Sequence, residues 1–270
     1  NDSFSPNLQE KKSKFKLNPR INENPYLDNQ LKQLEMQFNA TKQRLQNKFG
    51  TQKFIVYFQS FTNTYAPFST LKALYEKALS FDNVIGLSIG TRTDCVTDEI
   101  LDYLVDLSKD KEIWIEFGIQ SFFDETLINI NRGDTASNMR YWINRSKEKG
   151  LNVCGHLIYG LPKETQEMML ETFRQTVELK VDSIKFHPLY VVKNTLLTNE
   201  FKKGRFTPIS EELYIDTVVK SIVNLPSNIS VQRITAGIDD STLLSPDWCR
   251  DKHTQMKNIR LALEKEGFNY

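Results

Sequence analysis

The chain has 270 residues, of which 39% are hydrophobic and 26% charged, with a net charge of +1. That is ordinary globular composition, with enough chain for one large core or two small ones. The near-neutral charge excludes a nucleic-acid binder that works by bulk electrostatics. No apolar run approaches the ~20 residues of a membrane span and no secretory leader is legible, so no membrane partner is expected and the cytoplasm is the expected location.

Residues 1–22 are polar, rich in Lys and Asn and broken by Pro6 and Pro19, which reads as an irregular arm. The first 50 residues hold nine Lys/Arg against five Asp/Glu, a mildly basic start. From Pro25 to Phe49, the apolar positions Leu27, Leu31, Leu34, Phe38 and Leu45 predict a helix with one buried stripe, ended by Gly50. A rhythm follows. Strand-type runs lie at Lys53–Phe58, Val84–Ile89, Ile113–Gly118, Val153–Tyr159, Ser183–His187 and Ile229–Ile234. Amphipathic helices are predicted between them at Ser69–Leu79, Thr97–Leu107, Glu125–Ile130 with Ala136–Lys149, and Glu164–Leu179, then at Ser210–Val223 and Asp251–Lys265.

Each pair of runs is separated by enough chain for a crossover helix. The runs are apolar nearly throughout, as strands covered on both faces are. The reading is α/β: a parallel sheet that forms a partial, open β/α barrel of TIM-barrel type, with C-terminal helical additions. Five or six units are too few for a closed eight-stranded barrel, and no GxGxxG follows a strand to suggest a dinucleotide fold. No internal linker is visible, so residues 1–270 are expected to form one domain.

Polar residues gather where these strands end. Glu116, Gln120 and, twelve residues later, Arg132 flank one strand end and the helix after it. In parallel α/β proteins the carboxyl ends of strands carry the chemistry. A carboxylate, an amide and a guanidinium there suit a ligand bearing an amine, hydroxyls and a carboxylate. Glu116 either touches that ligand or pairs with Arg92. Asp94 reads as a turn residue, Cys95 as a small hydrophobe, His253 as surface, and His156 as either a proton relay or a core histidine. Cys95, Cys154 and Cys249 are 59 and 95 residues apart, a spacing that suits neither a disulfide framework nor a metal site. No histidine pair has metal-ligand spacing.

The segments Tyr57–Pro67, Gly86–Cys95, Glu116–Gly133, His156–Pro162 and Lys185–Leu189, one per strand and in order, resemble the Elongator-like radical S-adenosylmethionine (SAM) family. Within it they resemble the small bacterial branch of uncharacterised or tRNA-modification-linked members. The resemblance implies SAM as cofactor and a 4Fe–4S cluster held by CxxxCxxC. That motif is not among these residues and is expected upstream of Asn1, so the chain as given is expected to be inactive. The resemblance also implies reductive cleavage of SAM and hydrogen-atom abstraction from a substrate. The electron donor would resemble flavodoxin or ferredoxin, and a tRNA wobble uridine is one candidate substrate. The alternative is an inactive barrel that binds a nucleotide, RNA or partner protein. The same resemblance assigns cofactor contacts. Gln59 and Ser60 stand where relatives grip the amine. Ser88 and Thr91 face the ribose, and Arg92 the ligand or substrate. Gln120 bonds ribose hydroxyls, and Arg132 pairs with the methionine carboxylate. Ile158, Gly160, His187 and Leu189 line the adenine. Catalytic residues are left unassigned.

Overall fold

The computed structural model describes residues 24–268; the expected arm over residues 1–22 lies outside them. Six strands hydrogen-bond in the order β1-β2-β3-β4-β5-β7, an open parallel sheet whose crossovers are helical, as the apolar runs predict. The order keeps two edges, so the barrel is partial. The described residues divide into two compact units, one of residues 24–117 with Arg145–Val153, the other of Gly118–Asn144 with Cys154 to residue 268.

In the first unit, helix α1 (Leu27–Phe49) ends at Gly50, whose φ of +64° closes the last turn. Its predicted stripe is half-buried rather than buried; within it Phe38 stacks on Phe81 at 4.5 Å and stands edge-on to Phe54 at 6.0 Å. Strand β1 (Phe54–Phe58) runs parallel to β2 (Val84–Thr91), with α2 (Phe68–Leu79) crossing between them. Strand β1 departs from the two-sided burial expected for every strand: it lies at the sheet edge and alternates, with Ile55 40% and Tyr57 37% exposed. After a 3-10 turn at Thr93–Cys95, α3 (Asp98–Ser108) begins where the Thr97 hydroxyl accepts the Ile100 amide. Strand β3 (Glu112–Gln120) then pairs with β2. Gly86 makes that pairing possible, because a Cβ there would sit 1.9 Å from the Glu112 carbonyl oxygen.

In the second unit, α4 (Asp124–Asn129) leads into α5 (Ala136–Glu148), whose residues from Arg145 on, with Asn152 and Val153 of strand β4 (Asn152–Tyr159), belong to the first. Helix α6 (Gln166–Glu178) is capped by Thr165 and carries the chain to β5 (Ser183–Pro188), parallel to β4. Helix α8 (Glu211–Val223), capped by Ser210, precedes β7 (Ser230–Arg233). One face of β4 and β5 packs on these helices. Tyr159 bonds Ser221 of α8 at 2.8 Å, and Phe186 meets Phe173 of α6 at 6.3 Å. The sequence did not announce the short α7 (Leu196–Lys202), nor strands β6 (Val191–Val192) and β8 (Leu243–Ser245), an antiparallel pair. A 3-10 turn at Asp247–Arg250 precedes α9 (Lys252–Lys265), capped by Asp251. No helix among the described residues is long and apolar enough to cross a membrane.

Candidate functional site

The first unit contributes the ends of β1 and β2 and the β3 residues as far as Phe117. The loop after β1 is tied to β2 by Asn63, whose side-chain amide donates to the carbonyls of Phe58 (2.9 Å) and Gly90 (2.8 Å). Thr64 donates to the Cys95 carbonyl at 2.7 Å and meets the Thr91 hydroxyl at 2.5 Å. With the Thr64 proton committed to Cys95, Thr91 is the donor of that pair, and its hydroxyl is buried in the weld between two loops. Arg92 lays its fork on Asp94, Nε to Oδ1 at 2.7 Å and Nη2 to Oδ2 at 2.5 Å. Asp94 is thus an ion-pair partner as well as a turn residue. Glu116 is only 2% exposed and accepts the Ser88 hydroxyl, a donor that a buried carboxylate requires. Gln59 is exposed and Ser60 half-buried at the end of β1.

The second unit holds the end of β3, and its geometry is unusual. The Ser121 amide donates back to the Ile119 carbonyl at 2.9 Å, so Gln120 is the central residue of a γ-turn, with φ at +69°. Such turns with positive central φ are rare and strained for a residue that carries a Cβ. The Gln120 side-chain oxygen Oε1 is buried and has no hydrogen-bond donor. Two anchors hold the turn. The Ser121 hydroxyl accepts the Phe123 amide at 3.1 Å and donates to Glu164, on the loop after β4. Burial pushes the Glu164 carboxyl above its ordinary value, partly offset by hydrogen bonds from Ser121 and Thr126.

Arg132 is delivered to the same strand end by how α4 stops. Asn131 adopts φ +53°, its amide bonds the Ile128 carbonyl at 3.0 Å, and the Arg132 amide bonds the Leu127 carbonyl at 2.9 Å. This paired closure is a Schellman motif, for which Asn is tolerated in place of Gly. The helix therefore closes on Asn131. Arg132 Nη2 then donates to the Gly118 carbonyl, two residues before Gln120.

Farther across this unit, Ile158 and His187 are register partners on β4 and β5, both half-buried. His187 Nδ1 lies 2.7 Å from the Pro188 carbonyl, which fixes Nδ1–H as donor. Burial above all, with the Arg233 charge and then His156, lowers its pKa to about 4 against the opposing bond to Pro188. The imidazole is therefore neutral at pH 7. The Leu189 amide is committed to the Tyr159 carbonyl at 2.8 Å. At Gly160, φ is +90° and a Cβ would lie 2.8 Å from Ile209, so the close approach this glycine permits is that of Ile209. His156 is half-buried on β4, and His253 is exposed on α9.

These features suit a ligand with ribose hydroxyls and a carboxylate: the stranded amide oxygen of Gln120 needs a donor, and Arg132 stands beside it. The three cysteines do not fit a cluster that requires thiolates. Cys154 lies fully buried within β4, and burial pushes the Cys249 thiol up to about 12. Sequence reasoning missed Ser121, Glu164 and Asn131 as the scaffold of the Gln120 turn. Only Asn131, an asparagine at a helix end, carried a legible signal.

The sequence matches the Radical SAM superfamily over residues 27–176 and the Radical SAM C-terminal domain over residues 181–265. It is 34% identical over 242 residues to the uncharacterized protein YtqA of Bacillus subtilis, covering 90% of this chain and 75% of that one. It is 26% identical to the tRNA uridine(34) acetyltransferase of Methanocaldococcus jannaschii, over 59% of this chain and 30% of that one. Among solved structures, an archaeal Methanocaldococcus infernus Elp3 with an N-terminal deletion superposes with TM-score 0.63 at 22% identity, covering 76% of this chain and 47% of that one. That likeness establishes the partial β/α barrel. A superfamily match across more than half the residues, together with a relative one-third identical along nine-tenths of the chain, makes this protein a member of the radical SAM superfamily.

Proposed function

We propose that residues 1–270 are the SAM-binding body of a radical SAM enzyme, folded as one domain. The observation that carries this reading is the Gln120 turn: a strained backbone and an unsatisfied buried oxygen, held by dedicated anchors at the strand end, are costs that a ligand offsets. In the proposed pose Gln120 Oε1 accepts from a ribose hydroxyl. Arg132, oriented by its bond to Gly118, pairs with the methionine carboxylate, for which a planar fork is suited. Ser88 and Glu116 in the first unit serve ribose or amine. Thr91 acts there through the loops it joins to Thr64, and Arg92, held by Asp94, faces ligand or substrate, with Gln59 and Ser60 at the adjoining strand end. Ile158, Gly160, His187 and Leu189 line the adenine side. When bound in enzymes of this superfamily, SAM supplies a 5′-deoxyadenosyl radical.

The cluster's thiolates are proposed to come from residues other than Cys95, Cys154 and Cys249, so these 270 residues alone would not cleave SAM. A low-potential flavodoxin or ferredoxin is the proposed reductant, a tRNA wobble uridine the proposed substrate, and the cytoplasm the proposed location. The tRNA proposal rests on the name of the acetyltransferase relative. The test is calorimetric titration of SAM into the chain. Arg132→Ala is expected to weaken binding roughly ten- to hundredfold, since a charged hydrogen bond contributes about 1.5–3 kcal/mol. An unchanged dissociation constant removes Arg132 from the site. Failure of the chain to bind SAM at all overturns the reading.

A further inference from the structure

Beyond the carboxyl end of β5 the second unit builds a cleft that the cofactor reading does not use. Strand β6 follows closely on β5 and is held antiparallel to β8, where the Lys193 amide donates to the Thr242 carbonyl at 2.8 Å. Helix α7 is fastened to the same strand. The Thr195 and Thr198 hydroxyls donate to the Val192 carbonyl at 2.9 and 2.5 Å, and the Thr195 hydroxyl accepts the Thr198 amide. The end of β6, helix α7 and Leu244 of β8 line an open cleft of about 510 Å³. That volume falls within the roughly 300–1,000 Å³ of ligand pockets.

The lining is one-sided in its chemistry. Lys193, Asn194, Asn199 and Lys202 bring ammonium and carboxamide groups, Leu196 and Leu244 form an apolar wall, and no carboxylate takes part. Asn199 and Lys202, at i and i+3, share a face of α7. Neither lysine has an ion-pair partner and neither asparagine side chain a hydrogen bond among the described residues. The neighbouring acids are engaged elsewhere. Glu200 takes the fork of Arg205 at 2.7 and 2.5 Å. Asp240 feels the charge of Lys193, but its carboxylate accepts the Thr242 amide at 2.7 Å and the Thr242 hydroxyl at 2.5 Å. With Glu200 and Arg205 cancelling, Lys193, Lys202 and Lys203 leave this segment locally cationic. Leu196, 83% exposed, stands among these charges as a large apolar side chain without cover.

We propose that this cleft docks the sugar–phosphate backbone of an RNA substrate. Lys193 and Lys202 would each neutralise one phosphate, Asn194 and Asn199 donate to phosphate or ribose oxygens, and Leu196 lie against a sugar. An ammonium on a flexible stem suits a contact that positions the backbone without reading its sequence. The attraction is local, in keeping with a net charge of only +1. That the polyanion is RNA rests on the tRNA reading above, whereas the affinity for phosphodiesters rests on the lining. Because β6 follows on β5, a backbone anchored here is held close to the strand end that carries His187.

The test is fluorescence anisotropy of a labelled tRNA anticodon stem-loop, titrated with the full chain over a series of salt concentrations. Each phosphate contact contributes about 0.7–0.9 to the slope of log K against log salt. Lys193→Gln with Lys202→Gln is therefore expected to flatten the slope by about 1.4–1.8 and to weaken binding at least tenfold at about 0.1 M salt. Each single variant is expected to give near half that change in slope. Both side chains are exposed, so the substitutions leave the fold intact. Lys53→Gln with Lys180→Gln removes the same charge from exposed positions just before β1 and β5, and is expected to leave the slope nearly unchanged. An unaltered slope in the cleft variant, or an equal loss in the Lys53 and Lys180 variant, overturns the proposal. So does displacement of the RNA by free uridine monophosphate at the RNA's own concentration, which would make the cleft a mononucleotide site. RNA bound with its slope intact in the cleft variant removes the cleft alone; failure of the unsubstituted chain to bind RNA removes the tRNA reading with it. The SAM titration with Arg132→Ala does not depend on either lysine, so loss of the cofactor reading is told apart from both.

Discussion

Gln120 carries two costs that are separable by substitution. A residue with a Cβ held at φ +69° costs about 1–2 kcal/mol, and a buried acceptor without a donor about 1–3 kcal/mol. Gln120→Ala removes only the second, and loses about 0.8 kcal/mol for each methylene no longer buried. Gln120→Gly removes both, and returns about 0.5–1 kcal/mol through the added freedom of the unfolded chain. The expected order of stability is therefore Gly above Ala, by about 0.5–1 kcal/mol, with Ala equal to or above the unsubstituted chain. Equilibrium urea unfolding at unchanged m-value reads the differences, and a SAM titration is expected to show binding weakened in both variants. Stability gained with binding lost is the signature of a residue kept for its ligand. A Gly variant less stable than the Ala variant would refute the strain argument. Both falling well below the parent chain would show that Gln120 holds the fold together instead.

Two groups in the second unit are expected to give opposite pH dependences. Glu164 has a raised pKa, so its contribution to stability is fully present below the ordinary carboxyl value of 4.5 and is lost as pH rises through the folded value. The urea midpoint of the parent chain relative to Glu164→Gln should accordingly fall as pH rises from 4.5. His187 has a lowered pKa, so its contribution is present above 6.5 and is lost as pH falls toward about 4. The parent relative to His187→Gln should therefore weaken over that interval, and a flat difference would deny the burial of the ring. In the first unit, Gly86→Ala is expected to destabilise by about 3 kcal/mol or more, because the added Cβ meets backbone at 1.9 Å and the strands must part. A Tm within a degree or two of the parent would contradict the close β2–β3 approach.

The sequence by itself determined the alternation of strands and helices, since the apolar period and the caps are local: Gly50, Thr97, Thr165 and Ser210 each act within one turn of their own helix. It also marked Gln120 and Arg132, because polar residues at the ends of apolar strands are visible without coordinates. It misread the coverage of β1, for edge position is a property of the whole sheet and leaves the strand's own composition unchanged. What only the tertiary structure decided are the partners. Ser121 meets Glu164, 43 residues on; Thr91 meets Thr64, 27 residues back; and Arg233 stands beside Lys185 through a register shift between β5 and β7. Those pairings depend on which chain segments lie side by side, and side-chain chemistry alone does not carry that information: an orphaned oxygen or a crowded charge exists only once burial has removed the water that would otherwise satisfy it.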